Sequence, residues 1–112
     1  MRYRGFYYLV PLARLEQGEE LALKRIGPNE VGFTLCRAKG GQLQRGPISQ
    51  GTPRSVDIIL KCPTGSSLEG LFHTHPGGVA YPSRKDIATA RQLRVKTLCI
   101  ENLQELRCFR LR

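Results

Sequence analysis

The chain has 112 residues, of which 40% are hydrophobic and 24% charged, with 12 Gly and 7 Pro; this suits one domain over residues 1–112 and excludes a disordered or fibrous composition. Its 18 basic and 9 acidic residues give a formal net charge of +9, which bears on solubility and on attraction of anionic partners, but no run of five basic residues forms a tail. No apolar run approaches the about 20 residues of a membrane span and no signal-peptide pattern opens the chain, so a soluble, cytoplasmic protein with no membrane partner is expected.

Residues 4–10 are aromatic and β-branched and predict a first strand stopped by Pro11. Leu12, Leu15, Leu23 and Ile26 recur roughly at helical spacing, with Glu16, Glu19 and Glu20 at polar positions, predicting a helix ended by Gly27-Pro28. Residues 30–36 read as a strand, Lys39-Gly40-Gly41 as a turn and residues 42–48 as a return strand. Val56-Asp57-Ile58-Ile59-Leu60 predicts a further strand and residues 62–67 a loop. The strand over residues 68–75 carries both histidines of the chain, and Gly77 to Pro82 form a loop. A helix starts at Ser83 and runs to about Val95, with Ile87, Ala90 and Leu93 as its apolar stripe and Arg84, Lys85 and Arg91 facing out. Residues 97–101 and 105–111 make two closing strands joined at Asn102-Leu103-Gln104. This order predicts an α/β (α+β) domain with a central mixed β-sheet flanked by helices.

The chemistry concentrates between His73 and Asp86. On a strand, the two-residue repeat places His73 and His75 on one face, about 6.6 Å apart along the backbone, which suits two ligands of one metal ion. Ser83-x-x-Asp86 is by itself a capping-box pattern, the hydroxyl accepting from a first-turn N–H and the acidic side chain returning the bond. A loop and one helical turn can also bring the Asp86 carboxylate back beside the strand end, so capping and ligation coexist. Two histidines and one aspartate match catalytic zinc, which keeps an open fourth position for water, rather than structural zinc, which is closed by four protein ligands. Cys36, Cys62, Cys99 and Cys108 show no C-x-x-C spacing and read as buried small apolar side chains. A bridge among them stays open, since intracellular proteins of hyperthermophiles carry disulfides.

His73-Thr74-His75-Pro76 followed by Ser83-x-x-Asp86 resembles the signature of the JAMM (MPN-type) zinc metalloproteases, and Pro28-Asn29-Glu30-Val31-Gly32 resembles the setting of that family's upstream glutamate. The resemblance covers most of the chain from Pro28 onward. It implies a cytidine-deaminase-like JAMM/MPN architecture and one Zn2+ per chain held by His73, His75 and Asp86. It also implies that Glu30 deprotonates the zinc-bound water and that Ser83 hydrogen-bonds the developing oxyanion. Glu69 is the rival base, but four residues along a strand place it about 13 Å from His73, beyond reach of that water; it reads as a solvated strand residue. With both histidines committed, Cys36 and Cys62 lack a base to serve as nucleophiles. Gly77-Gly78 lacks the rest of a phosphate loop and reads as room for substrate.

The resemblance further implies hydrolysis of a peptide or isopeptide bond after the Gly-Gly tail of a ubiquitin-like or sulfur-carrier protein, the tail being captured by β-addition. The few residues after Asp86 leave no place for the insertions of the eukaryotic enzymes, so a minimal catalytic core of archaeal or bacterial character is expected. Alternatives are a RadC-like, DNA-associated protein, for which the basic charge speaks, a metal-binding scaffold without catalysis, and a peptidase for ordinary peptides or cell-wall fragments. The oligomeric state and the natural substrate stay open.

Overall fold

A computed structural model describes residues 9–11 and 26–111 of the chain. Strands β1 (Leu9–Pro11), β2 (Val31–Ala38), β3 (Leu43–Arg45), β4 (Ser49–Gln50), β5 (Ser66–Thr74), β6 (Thr97–Glu101) and β7 (Leu106–Leu111) form one sheet, and α1 (Arg84–Gln92) lies between β5 and β6 in sequence. The sheet order is β1-β7-β6-β5-β2-β3, with β4 also pairing with β2. Among the described residues only β5 and β6 pair in parallel; the other pairs are antiparallel. The result is the expected mixed α+β sheet, and α1 is the one helix among the described residues. The helix expected before Gly27 and most of the first expected strand lie outside them. No helix among the described residues is long and apolar enough to cross a membrane.

Two layers of core follow from period-2 alternation along the central strands. Phe33, Leu35, Phe72, Cys99 and Cys108 pack on one face of the sheet, where the rings of Phe33 and Phe72 stack at 4.3 Å. Leu71 and Leu98 point to the other face and meet Ile87, Ala90, Val95 and Leu111. His73 is two residues on from Leu71, so it shares the α1 side of the sheet. Gly32 pairs with His73, and a Cβ on Gly32 would come within 2.7 Å of the Ile58 side chain. Glycine at this position therefore leaves room for Ile58 to pack over β2.

Topology brings the chemistry to one end of the sheet. A parallel β5–β6 pair needs a crossover, and α1 supplies it, so the N-terminus of α1 follows the C-terminal end of β5. Because β2 is antiparallel to β5, the start of β2 lies at that same end. Glu30, immediately before β2, is thereby returned to the histidines, and the crevice at the carboxyl ends of parallel strands is where open α/β sheets place ligands.

Several boundaries differ from expectation. Val56–Leu60 is not a strand: β5 covers one edge of β2, while β3 and β4 already share the other, so among the described residues neither edge of β2 is open to this segment. It instead runs over the surface, with Ile58 packed against the α1-side core. The return strand shrinks to Leu43–Arg45 and β4. Helix α1 stops at Gln92, where Leu93 forms the C-cap and Arg94 takes a left-handed φ of 59°, the conformation that ends helices. The cysteines are not free: Cys36 bridges Cys62 and Cys99 bridges Cys108. Residue Cys108 faces Cys99 across the β6–β7 pair, and Cys62 fastens the surface segment to β2. Glu69 lies at a register shift of β5 against β2 and is held by two bonds from Arg37, at 3.0 and 2.6 Å, rather than simply solvated.

Candidate metal centre

His73 is the last but one residue of β5 and is buried, whereas His75 lies one residue beyond the strand and is half-buried. That small change of path converts two parallel side chains into convergent ones. Their rings meet edge-on with centroids 4.7 Å apart, and their Nε2 atoms are 2.9 Å from each other. Asp86 Oδ2 lies 3.1 Å from His73 Nε2 and 3.4 Å from His75 Nε2. Four-coordinate tetrahedral zinc with bonds of about 2.0–2.1 Å holds its ligand atoms about 3.3 Å apart, so this triangle and its donor set of two imidazoles and a carboxylate fit zinc.

Two of the three ligand residues, His75 and Asp86, are oriented by a neighbour. The Nδ1–H of His75 donates to the Val79 carbonyl at 2.9 Å, which leaves the lone pair on Nε2 facing the triangle. Asp86 is the third residue of α1 and completes the capping box with N-cap Ser83: Asp86 N–H donates to Ser83 Oγ at 3.1 Å, and Ser83 N–H donates to Asp86 Oδ2 at 2.7 Å. Burial pushes the Asp86 carboxyl up, but hydrogen bonds from the protonated imidazoles of His73 and His75, their positive charge and the Ser83 N–H outweigh it and hold the group well below the ordinary carboxylate range. Burial pulls the His75 imidazole down, yet the Asp86 carboxylate and the Val79 carbonyl leave it raised.

Glu30 is buried, at 8% exposure. Its backbone is clamped by Glu30 N–H to Thr52 O and Gly51 N–H to Glu30 O, both 2.8 Å, and by Val31 N–H to Thr74 Oγ1 at 2.9 Å. Burial raises its carboxyl pKa; positive charge on His73 and His75 would lower it, and the Asp86 charge raises it further. A carboxylate moved toward neutrality is suited to accept and return a proton.

Two cavities open at this point. One, of about 460 Å³, runs between α1 and the 54–60 segment and includes Glu30, His73, His75, Ser83 and Asp86 in its lining. The second, of about 590 Å³, is walled by Pro28, Pro53, Pro76, Gly77 and Gly78, and shares Glu30, Arg54 and His75 with the first. The structure thus brings Glu30, His73, His75, Ser83 and Asp86 into one cleft, and leaves Glu69 on the far part of β5 with Arg37. Arg54, Ile58 and Leu60 also line the cleft; the expected strand over residues 56–60 gave Ile58 and Leu60 no such place, and Arg54 carried no expectation. Lys85, expected to face out, is exposed but sits on the cleft rim; its position directly before Asp86 was the available signal.

A mixed sheet with a His-His-Asp group at the carboxyl end of its parallel strands defines a candidate metal-binding domain. Residues 28–112 match the family of prokaryotic homologs of the JAB domain, and the chain belongs to that JAMM/MPN family, which includes metallopeptidases. The crystal structure of a JAB1/MPN domain protein from Archaeoglobus fulgidus is similar at 21% identity, over 74% of this chain and 71% of that one, with a TM-score of 0.49. No curated protein matches the chain.

Proposed function

We propose that the chain is a zinc-dependent peptidase that cleaves a peptide or isopeptide bond after the Gly-Gly tail of a ubiquitin-like or sulfur-carrier protein. The observation that carries this reading is the His73–His75–Asp86 triangle, with contacts of 2.9 to 3.4 Å, sharing its cleft with the buried Glu30. His73, His75 and Asp86 would hold the metal. Zinc there would acidify a water to a pKa of about 7 and polarise the scissile carbonyl.

Glu30 takes the proton from the attacking water and delivers it to the leaving amine, a double role that its place in the cleft beside the triangle supports. Ser83 Oγ accepts the Asp86 N–H, which leaves its own O–H to donate to the developing oxyanion; one such donor contributes about 3 kcal/mol. An extended chain passing from the α1 cavity to the Pro- and Gly-walled one crosses the ligands. The apolar side chains of Ile58, Leu60 and Leu93 suit apolar residues of the tail.

The test is metal analysis together with cleavage of a Gly-Gly-linked fusion by the wild type, Glu30→Gln and His75→Ala. About one zinc per chain is expected in the wild type and Glu30→Gln and little in His75→Ala, with cleavage by the wild type alone. Cleavage by Glu30→Gln at the wild-type rate would remove Glu30 from the mechanism, and metal-free activity would overturn the mechanism itself. A second reading, DNA association, draws on the exposed basic residues Arg84, Lys85, Arg94 and Lys96; salt-dependent DNA binding that survives loss of zinc would favour it.

A further inference from the structure

The loop from His75 to Ser83 is backed by the β6–β7 hairpin, and Asn102, at the start of the hairpin turn, is buried. Its Oδ1 accepts the N–H groups of Gln104 and Glu105, each at 2.9 Å. Only the oxygen of an amide can accept from two donors, so the amide orientation is fixed and Nδ2 is turned toward the Gly78 carbonyl, to which it donates at 3.1 Å. Gly78 N–H in turn donates to the His75 carbonyl at 3.1 Å, and His75 N–H to the Glu101 carbonyl at 2.8 Å. The next residue, Val79, supplies the carbonyl that accepts His75 Nδ1–H. Further along the loop, Tyr81 packs on Phe109 and accepts a bond from Arg107 at 3.1 Å, a second tie to the same hairpin.

We infer that Asn102 is a positioning residue for His75: by holding the Gly78 carbonyl it keeps the Val79 carbonyl on Nδ1 and so locks the ring in the Nδ1–H tautomer, with Nε2 aimed at His73 and Asp86. This rests on the reading of His75 as a metal ligand. A neutral imidazole can carry its proton on either nitrogen, and the hydrogen bond made by one nitrogen decides what the other can ligate. Losing such an orienting partner weakens metal binding by about 10- to 100-fold.

The decisive variant is Asn102→Asp, which keeps the oxygen acceptor for Gln104 and Glu105 but has no donor for Gly78. Its added negative charge would by itself favour a cation, so weaker binding reports the lost donor. In metal-free, 15N-labelled protein, long-range 1H–15N correlation should show His75 as the Nδ1–H tautomer in the wild type and as a mixture in Asn102→Asp and Asn102→Ala. Zinc titration should show about tenfold weaker binding in both variants, while Leu103→Ala, an exposed position in the same turn, matches the wild type. A single Nδ1–H tautomer with unchanged zinc affinity in Asn102→Asp would overturn the inference and reduce Asn102 to a turn residue, whatever Asn102→Ala does. If the wild type takes up no zinc, the peptidase reading fails, and the tautomer comparison on metal-free protein still decides the role of Asn102.

Discussion

His73 and Asp86, separated by 13 positions in the chain, meet through Nε2 and Oδ2 at 3.1 Å, and the contact exists because α1 is the crossover between two parallel strands. The same Oδ2 accepts the Ser83 N–H, so the atom that closes the helix cap also faces the histidines. Replacing Asp86 with asparagine keeps a side chain able to cap but removes the anionic ligand. The expected outcome is loss of most bound zinc by elemental analysis, with the helical circular dichroism of the metal-free protein retained. Full zinc occupancy in Asp86→Asn would separate the cap from the metal site.

Proton uptake at the site sets opposite pH trends for metal-free and zinc-loaded protein. His75 and Glu30 both hold their protons more tightly in the folded chain. Each therefore contributes stability that is complete below its unfolded pKa, about 6.5 for His and 4.3 for Glu, and that is lost as pH rises through the folded value. Asp86, held low, contributes above an unfolded pKa of about 3.9 and loses that contribution in acid. Metal-free protein should thus lose stability from about pH 6.5 upward in urea unfolding. Zinc requires the neutral imidazole, so its affinity should rise over the same interval. A metal-free stability that climbs between pH 6 and 8 would contradict these assignments.

What was legible in the sequence is local. The His73-x-His75 repeat, the Ser83/Asp86 cap and the apolar stripe of Ile87 and Ala90 each follow from period and spacing within one turn or strand. The loop length between His75 and Asp86 allowed their meeting, whereas the return of Glu30 to them was legible only through the family resemblance, because it depends on β2 running antiparallel to β5. The 56–60 segment shows the limit of pattern reading: its β-branched residues satisfy strand statistics, yet among the described residues neither edge of β2 is open to them. The cysteine pairing was equally hidden, since Cys36 and Cys62 are 26 positions apart and meet only when that segment folds back along β2.

Fastening by Cys36–Cys62 can be measured. Closing a loop of 26 positions contributes about 3.5 kcal/mol in the chain-entropy account, and the segment it ties down includes Arg54, Ile58 and Leu60 of the cleft wall. Cys62→Ser is expected to lower unfolding free energy by about 2–4 kcal/mol. Hydrogen exchange should quicken at Lys61 and Ile59, whose N–H groups bond to Ile59 O and Ser49 Oγ, while β6 amides stay protected relative to them. Unchanged exchange across residues 51–61 would show that Ile58 and the Thr34 hydroxyl, bonded to Lys61 O at 2.6 Å, suffice to hold the wall.

Thr74, between the two histidines, points to the opposite face and is fully buried. Its Oγ1 accepts the N–H of Val31 at 2.9 Å, the peptide group directly following Glu30. The hydroxyl thereby ties the strand of the histidines to the carboxylate that works with them. Thr74→Val preserves shape and packing but leaves that part-buried N–H without its acceptor, which destabilises by about 1 kcal/mol. Glu30 then loses one of its three backbone clamps, so cleavage of a Gly-Gly-linked fusion should fall further than zinc content, while Thr74→Ser, with the acceptor kept, should recover most of the rate. Equal activity in Thr74→Val and the wild type would mean that the Gly51 and Thr52 contacts alone position the base.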